Sequence, residues 1–154
     1  MAFVFNIQIK GMTSTPVWRK LVVPAEFTFE QFHKAIQGAF GWTNSHLYEF
    51  RDREHNYKLQ IGMPSKEDAF WGKEVADARK VKLADIFSAQ LDALIYIYDF
   101  KENWIHEISL EQISDNEVKH AICTDSRGQC PAEDYGAVWG YDALKSGIWD
   151  DDFG

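Results

Sequence analysis

The chain has 154 residues, of which 45% are hydrophobic and 26% charged, and its net charge is −8. No apolar run approaches the roughly 20 residues that span a bilayer, and the N-terminus lacks the pattern of a signal peptide. With only two cysteines, it does not resemble a disulfide-stapled secreted scaffold. We therefore expect one domain over residues 1–154, cytoplasmic and without a membrane partner.

The negative charge is concentrated in the last third of the chain. Residues 1–100 carry 12 basic and 12 acidic side chains, and residues 101–154 carry 4 and 12, which together give the 16 basic and 24 acidic residues of the chain. Affinity for DNA or RNA depends mainly on basic groups that neutralise phosphates. The sequence thus argues against a nucleic-acid partner and leaves a protein or small-molecule ligand of unknown identity.

Two strands are predicted at the start of the chain. Residues 3–10 alternate apolar and polar side chains from Phe3 to Ile9, as in a strand with one buried face. Residues 18–23 are the expected antiparallel partner, which Pro24 ends.

The best-defined element is a helix that begins after Thr28. Thr28 and Gln31 have the spacing of a capping box, and Gly41 is a natural C-terminal stop. An apolar stripe recurs at helical spacing on one side of this segment. Its members are Phe29, Phe32, Ile36, Ala39 and Phe40.

The later elements are shorter, and most are predicted strands. The continuous apolar run at 93–98 is typical of a central strand covered on both faces. We predict strands at 46–53, 56–61, 93–98 and 104–113, a short helix at 83–87, and a loop-rich remainder up to a helical turn at 141–146. The predicted fold class is α+β, a mostly antiparallel sheet with one main helix packed across it and a second short helix.

The hairpin YDFKENWIHEISLE, residues 98–111, contains the first candidate site. His106 falls on the apolar face of its strand. A two-residue turn would place Asp99 opposite His106, and a three-residue turn would place Tyr98 there. An Asp beside a half-buried imidazole could orient a general base or a metal ligand, or it could simply satisfy a core histidine.

His46 is a second histidine on an aromatic strand face, shared with Tyr48 and Phe50. If that face met His106 and Asp99, the three side chains could bind a divalent metal such as zinc and activate water. His33 lies at the edge of the helix stripe and is assigned to packing.

The segment from 120 to 141 offers weaker metal ligands. His120, Cys123 and Cys130 have ligand chemistry suited to zinc, but their spacing is wider than in structural zinc sites. Unligated thiols and a disulfide remain as alternatives.

Four stretches in this order along the chain resemble the Ri-plasmid ORF-3-like family. They read TPVWRKLVVP, FHKAIQGAFGWTNSHLYEF, YDFKENWIHEISLE and CPAEDYGAVWGY, and the resemblance spans nearly the whole chain. The matching positions are Trp18, Arg19, Gly41, Trp42, His46, Asp99, Trp104, His106, Cys130, Pro131, Glu133 and Asp134.

The resemblance implies a fold but no reaction, because the family has no established activity and some members carry only a label linking them to mobile elements. Tyr48 stands where many members have a second His, Lys101 where they have Gly, and Tyr135 where they have a second Cys. A metal site that needed that His or Cys is therefore not expected here.

These observations favour a non-enzymatic intracellular binding or accessory domain that presents an aromatic groove. No phosphate-binding loop, nucleophile elbow or strong metal motif is present in the sequence. The candidate contact residues are Trp42, Trp104, Trp139, Glu133 and Asp134. The alternative is a metal-dependent hydrolase-like site built from His46, Asp99 and His106.

Overall fold

The computed structural model describes residues 1–11, 16–54, 58–65, 74–100 and 103–130. Within them, eight strands form one sheet and two segments are helical. The strands are β1 (Ala2–Ile9), β2 (Trp18–Pro24), β3 (Tyr48–Asp52), β4 (Gln60–Gly62), β5 (Ala76–Asp77), β6 (Ala93–Tyr98), β7 (Trp104–Ser114) and β8 (Ile122–Arg127). The helices are α1 (Phe29–Phe40) and α2 (Leu83–Ile86).

The strand order in the sheet is β5-β4-β3-β6-β7-β1-β2-β8. Neighbouring strands are antiparallel except β4 and β5, which pair in parallel. β6 lies between β3 and β7 and is buried along nearly its whole length, as its continuous apolar sequence predicts. No helix among the described residues is long and apolar enough to cross a membrane.

The predicted α+β class, with a main helix packed across a mostly antiparallel sheet, was wrong. Of the described residues, 44% lie in strands and 14% in helices, and the strands form a single mixed sheet. Part of the difference comes from β8, which pairs with β2 in a region predicted to be loop. All six residues of β8 are exposed, so they show no alternation between a buried and an exposed face.

The N-terminal end of α1 has the predicted capping box. The Thr28 hydroxyl accepts a hydrogen bond from the Gln31 backbone N–H, and the Gln31 side chain accepts one from the Thr28 N–H. Gly41 ends the helix in the left-handed conformation, with φ of 74°. Rings on α1 contact rings on two strands, with centroids 4.8 Å apart for Phe32 and Phe5 and 4.9 Å apart for Phe29 and Phe50.

Both predicted registers of the β6–β7 hairpin were wrong. Tyr98 pairs with Trp104 and Tyr96 pairs with His106, so five residues rather than two or three lie between the paired ends of the strands. Asp99 and Asn103 both have positive φ, 64° and 56°, and the Asn103 N–H donates to the Asp99 carbonyl over 2.6 Å. Asp and Asn tolerate this conformation better than most residues, which permits the longer turn without glycine.

Candidate functional site

A surface pocket of about 210 Å³ lies where α1, the segment 41–47 and strand β3 meet. Both polar and apolar side chains form its wall. The lining residues are Glu30, His33, Lys34, Asn44, His46, Leu47, Tyr48 and Met63. Pockets of this mixed character are typical of small-molecule sites, although this one is smaller than most.

His33 connects the pocket to a buried polar network. Its Nδ1 lies 2.6 Å from the Tyr96 hydroxyl, and its Nε2 lies 2.6 Å from Asn44 Oδ1. Gln37 Nε2 donates to the same Tyr96 hydroxyl over 3.0 Å, while Gln37 Oε1 accepts from the Asn44 N–H over 2.9 Å. The three side chains of His33, Gln37 and Tyr96, with the side chain and backbone N–H of Asn44, therefore form a closed ring of hydrogen bonds.

This ring fixes the direction of each hydrogen bond. Asn44 Oδ1 can only accept, so Nε2 of His33 carries the proton and Nδ1 accepts from the Tyr96 hydroxyl. Burial lowers the pKa of the His33 imidazole to about 4, which keeps it neutral near pH 7. Because the Asn44 carbonyl oxygen faces His33, the amide Nδ2 of Asn44 is left to donate elsewhere.

Tyr48 contributes an aromatic ring and a buried hydroxyl to the wall of the pocket. Its ring stacks on His33 with centroids 3.6 Å apart and an interplanar angle of 5°. Its hydroxyl is buried and has no hydrogen-bond partner among the described residues. Burial, followed by the negative charge of Glu30, raises the pKa of Tyr48 further above its ordinary value, so the phenol remains a donor.

The segment 41–47 is held in place by the β6–β7 hairpin. The Asp99 N–H donates to the Leu47 carbonyl over 2.8 Å, and the Tyr98 hydroxyl accepts from the Ser45 N–H over 2.9 Å. Nε2 of His46 lies 3.7 Å from Asp99 Oδ2. His46 and Asp99, two of the three residues proposed for a hydrolytic site, are thus brought together at the surface end of this segment.

His106 lies in a different environment from His46 and Asp99. It is fully buried, and its Nδ1–H donates to the Trp104 carbonyl at 2.9 Å, with the Tyr96 carbonyl at 3.3 Å. Rings of Phe40 and Trp42 contact the imidazole edge to face. Burial lowers its pKa to about 4, and its Nε2 has no hydrogen-bond partner in the described ranges.

The proposed metal ligands do not form a cluster where the structure describes them. Across residues 1–11, 16–54, 58–65, 74–100 and 103–130, no group of three His, Cys, Asp or Glu side chains could hold a metal ion. His120 and Cys123 are exposed, and Cys130 is partly buried against the core. His46, Asp99 and His106 therefore do not converge as the hydrolase hypothesis requires.

The tryptophans expected to line an aromatic groove are in the interior where they are described. Trp104 is 0% exposed and Trp42 7% exposed, and their indoles contact one another with centroids 5.5 Å apart. Trp42 anchors the segment 41–47 to the core, since it also stacks on Tyr98 with centroids 5.2 Å apart. Trp139, Glu133 and Asp134 lie outside the described residues.

Sequence reasoning missed the central part of the pocket. The sequence pattern predicts a packing role for His33 and gives no separate indication of a site at Gln37, Asn44 or Tyr96. One signal was available, because His33 and Gln37 are four residues apart on the edge of the apolar stripe and so project from the same helix face. Their connection through Tyr96, 59 residues beyond Gln37, could not be read from spacing.

A family model, a related sequence and a solved structure each match most of this chain. The family model described as "Plasmid pRiA4b ORF-3-like protein" matches residues 1–152. An uncharacterised protein of Sinorhizobium fredii, y4hQ, is 35% identical to this chain over 136 residues. The match covers 87% of this chain and 66% of that protein, so this chain spans just under two thirds of the length of y4hQ. The crystal structure of MM3350 from Methanosarcina mazei Go1, a protein of unknown function, has a TM-score of 0.83 and 31% identity, covering 98% of this chain and 83% of that one.

Proposed function

Because this chain belongs to the plasmid pRiA4b ORF-3-like family, whose matched members are described as uncharacterised or of unknown function, we propose a function from its own site. The proposal is that the protein is a non-enzymatic binding domain. Its ligand is a small molecule that occupies the pocket between α1, the segment 41–47 and β3.

The observation that carries this proposal is the polar network behind the pocket wall. The buried Tyr48 hydroxyl, which has no partner among the described residues, costs stability, and the imidazole stacked on it is fixed at both nitrogens. Here they lie next to a pocket and hold the Asn44 amide at its edge. A binding site is expected to hold a few polar groups rigidly beside an apolar wall.

The proposal places the protein inside the cell. Its support is the exposed thiol of Cys123, which is not in a disulfide and fits a reducing compartment. The acidic chain favours small molecules or proteins over nucleic acid as partners.

The test is a screen of small polar and apolar fragments against isotope-labelled protein by NMR. We expect some fragments to shift the backbone signals of Lys34, Asn44 and Leu47 in a saturable way, and to bind Tyr48→Phe more weakly. Lys20→Gln is the matched control, since Lys20 pairs with Glu111 elsewhere on the sheet. A library that leaves the pocket signals unmoved would overturn the proposal.

A second candidate function rests on the contact between His46 and Asp99 alone. A carboxylate within 3.7 Å of an imidazole can orient it as a general base. Hydrolysis of model esters that is lost in both His46→Ala and Asp99→Asn, but kept in Lys20→Gln, would favour this candidate. Activity that survives both substitutions would eliminate it.

A further inference from the structure

The charged groups at the pocket suggest which class of ligand it takes. Glu30 and Lys34 both line the pocket, one helical turn apart on α1, and Lys34 Nζ lies 3.9 Å from Glu30 Oε1. Helix pairs at this spacing and exposure contribute little to stability, so each charge can exchange its partner for a ligand group at little cost. The pocket thus offers an ammonium and a carboxylate side by side.

Two uncharged side chains of the pocket wall, Asn44 and Tyr48, can donate hydrogen bonds. Asn44 uses its side-chain oxygen toward His33, which leaves Nδ2 to donate. Tyr48 has a buried hydroxyl with no partner in the described part of the chain. These donors suit a carboxylate on the ligand.

The remaining wall is apolar. Leu47 is 61% exposed, which is high for so large an apolar side chain, and Met63 is half-buried at the core. The backbone of Leu47 is held by Asp99, so the position of its side chain beside the pocket is supported from the hairpin. An apolar group on the ligand would cover Leu47 and Met63 and remove them from water.

We propose that the ligand is a free α-amino acid with an apolar side chain, an inference that rests on the binding function proposed above. Its carboxylate pairs with Lys34 and accepts from Asn44, its ammonium pairs with Glu30, and its side chain contacts Leu47 and Met63. The two charges of an α-amino acid are attached to one carbon, which matches the adjacent opposite charges of Glu30 and Lys34.

The test compares three probes by NMR titration of the whole chain: L-leucine, N-acetyl-L-leucine and L-leucinamide. The acetylated form lacks the ammonium and the amide form lacks the carboxylate. We expect saturable shifts at Asn44 and Leu47 with leucine, and affinity at least about tenfold weaker for each blocked form, the loss expected for one charge-assisted pair.

Matched variants assign each charge to its partner. Glu30→Gln should weaken leucine but leave N-acetyl-leucine unchanged, because the acetylated probe has no ammonium to lose. Lys34→Gln should weaken leucine but leave leucinamide unchanged. Lys20→Gln, away from the pocket, should change none of the three affinities.

The outcomes separate this inference from the proposed function. Blocked forms that bind as well as leucine would overturn the amino-acid assignment. Other fragments that bind the pocket while leucine does not would also overturn it, and would leave the binding function standing. A pocket that no probe or fragment perturbs would overturn both.

Discussion

The imidazole of His33 lies flat against the phenol ring of Tyr48, with centroids 3.6 Å apart and planes within 5° of parallel. This stack joins α1 to β3 at the pocket. The imidazole is neutral, since burial holds its pKa near 4, so the contact is between two uncharged rings. The two residues differ in their hydrogen bonding, because His33 is satisfied at both nitrogens and Tyr48 is not.

Removing the Tyr48 hydroxyl should not destabilise the protein. Tyr48→Phe keeps the stack and eliminates a buried polar atom without a partner in the described residues, so we expect the free energy of unfolding to stay equal or rise by about 1 kcal/mol. Urea unfolding followed by fluorescence measures the change.

The matched control is Tyr96→Phe, which removes a hydroxyl that bonds both His33 and Gln37. Two buried polar atoms lose their partner, and we expect a loss of about 1–3 kcal/mol. Equal effects of the two substitutions would contradict the network described here.

Stability should fall as the pH is lowered from about 6.5 toward 4. His33 and His106 have an ordinary pKa of 6.5 that burial lowers to about 4 in the folded protein. Well above pH 6.5 both imidazoles are neutral in the folded and the unfolded protein, so neither lowers the free energy of unfolding. Between these values the unfolded chain binds protons that the folded protein does not, which costs about 1.4 kcal/mol per pH unit for each imidazole.

The substitution His106→Phe distinguishes the contribution of this imidazole to the pH dependence from that of the carboxylates, which also bind protons at low pH. It removes one of the two histidines from a cage of aromatic rings that can accommodate another ring. The dependence of unfolding free energy on pH between 5 and 6.5 should become shallower by about 1 kcal/mol per pH unit. An unchanged slope would show that His106 titrates normally.

Arg19 should contribute more to stability than its neighbour Lys20. Its Nε donates to the Ala39 carbonyl at the end of α1 and one Nη donates to carbonyls of Trp18 and Arg127, while the guanidinium lies 5.2 Å from the centre of the Phe40 ring. It therefore joins α1 to β2 and β8.

We expect Arg19→Gln to cost about 2 kcal/mol, because charge-assisted bonds and a cation–π contact are lost together. Lys20→Gln breaks only the partly exposed pair with Glu111 and should cost less than about 1 kcal/mol. Thermal unfolding of both variants checks the difference, and equal melting temperatures would contradict the assigned role.

Two glycines with positive φ should respond differently to alanine. At Gly41, with φ of 74°, an added Cβ meets nothing within 4 Å, so Gly41→Ala should cost only the left-handed penalty of about 1–2 kcal/mol. At Gly128, with φ of 83°, the Cβ would overlap the Pro16 carbonyl oxygen and touch Val17. We expect Gly128→Ala to lower the melting temperature further, and the reverse order would contradict the close approach after β8.

The amino-acid sequence alone predicted the elements whose signals are local. The capping box of Thr28 and Gln31, the glycine stop at Gly41 and the apolar run at 93–98 were all confirmed, because each depends on residues within one turn or one strand. The resemblance to the family was likewise confirmed from short stretches of sequence.

Only the tertiary structure decided which residues meet. Among the described residues, β8 has no buried face and pairs only with β2, so no periodicity marked it. The pairing of β6 with β7 placed Tyr96 rather than Asp99 opposite His106. In the ring of His33, Gln37, Asn44 and Tyr96, the helix and the following loop are joined to Tyr96, a strand residue 59 positions beyond Gln37. A contact of this kind depends on sheet order rather than local pattern.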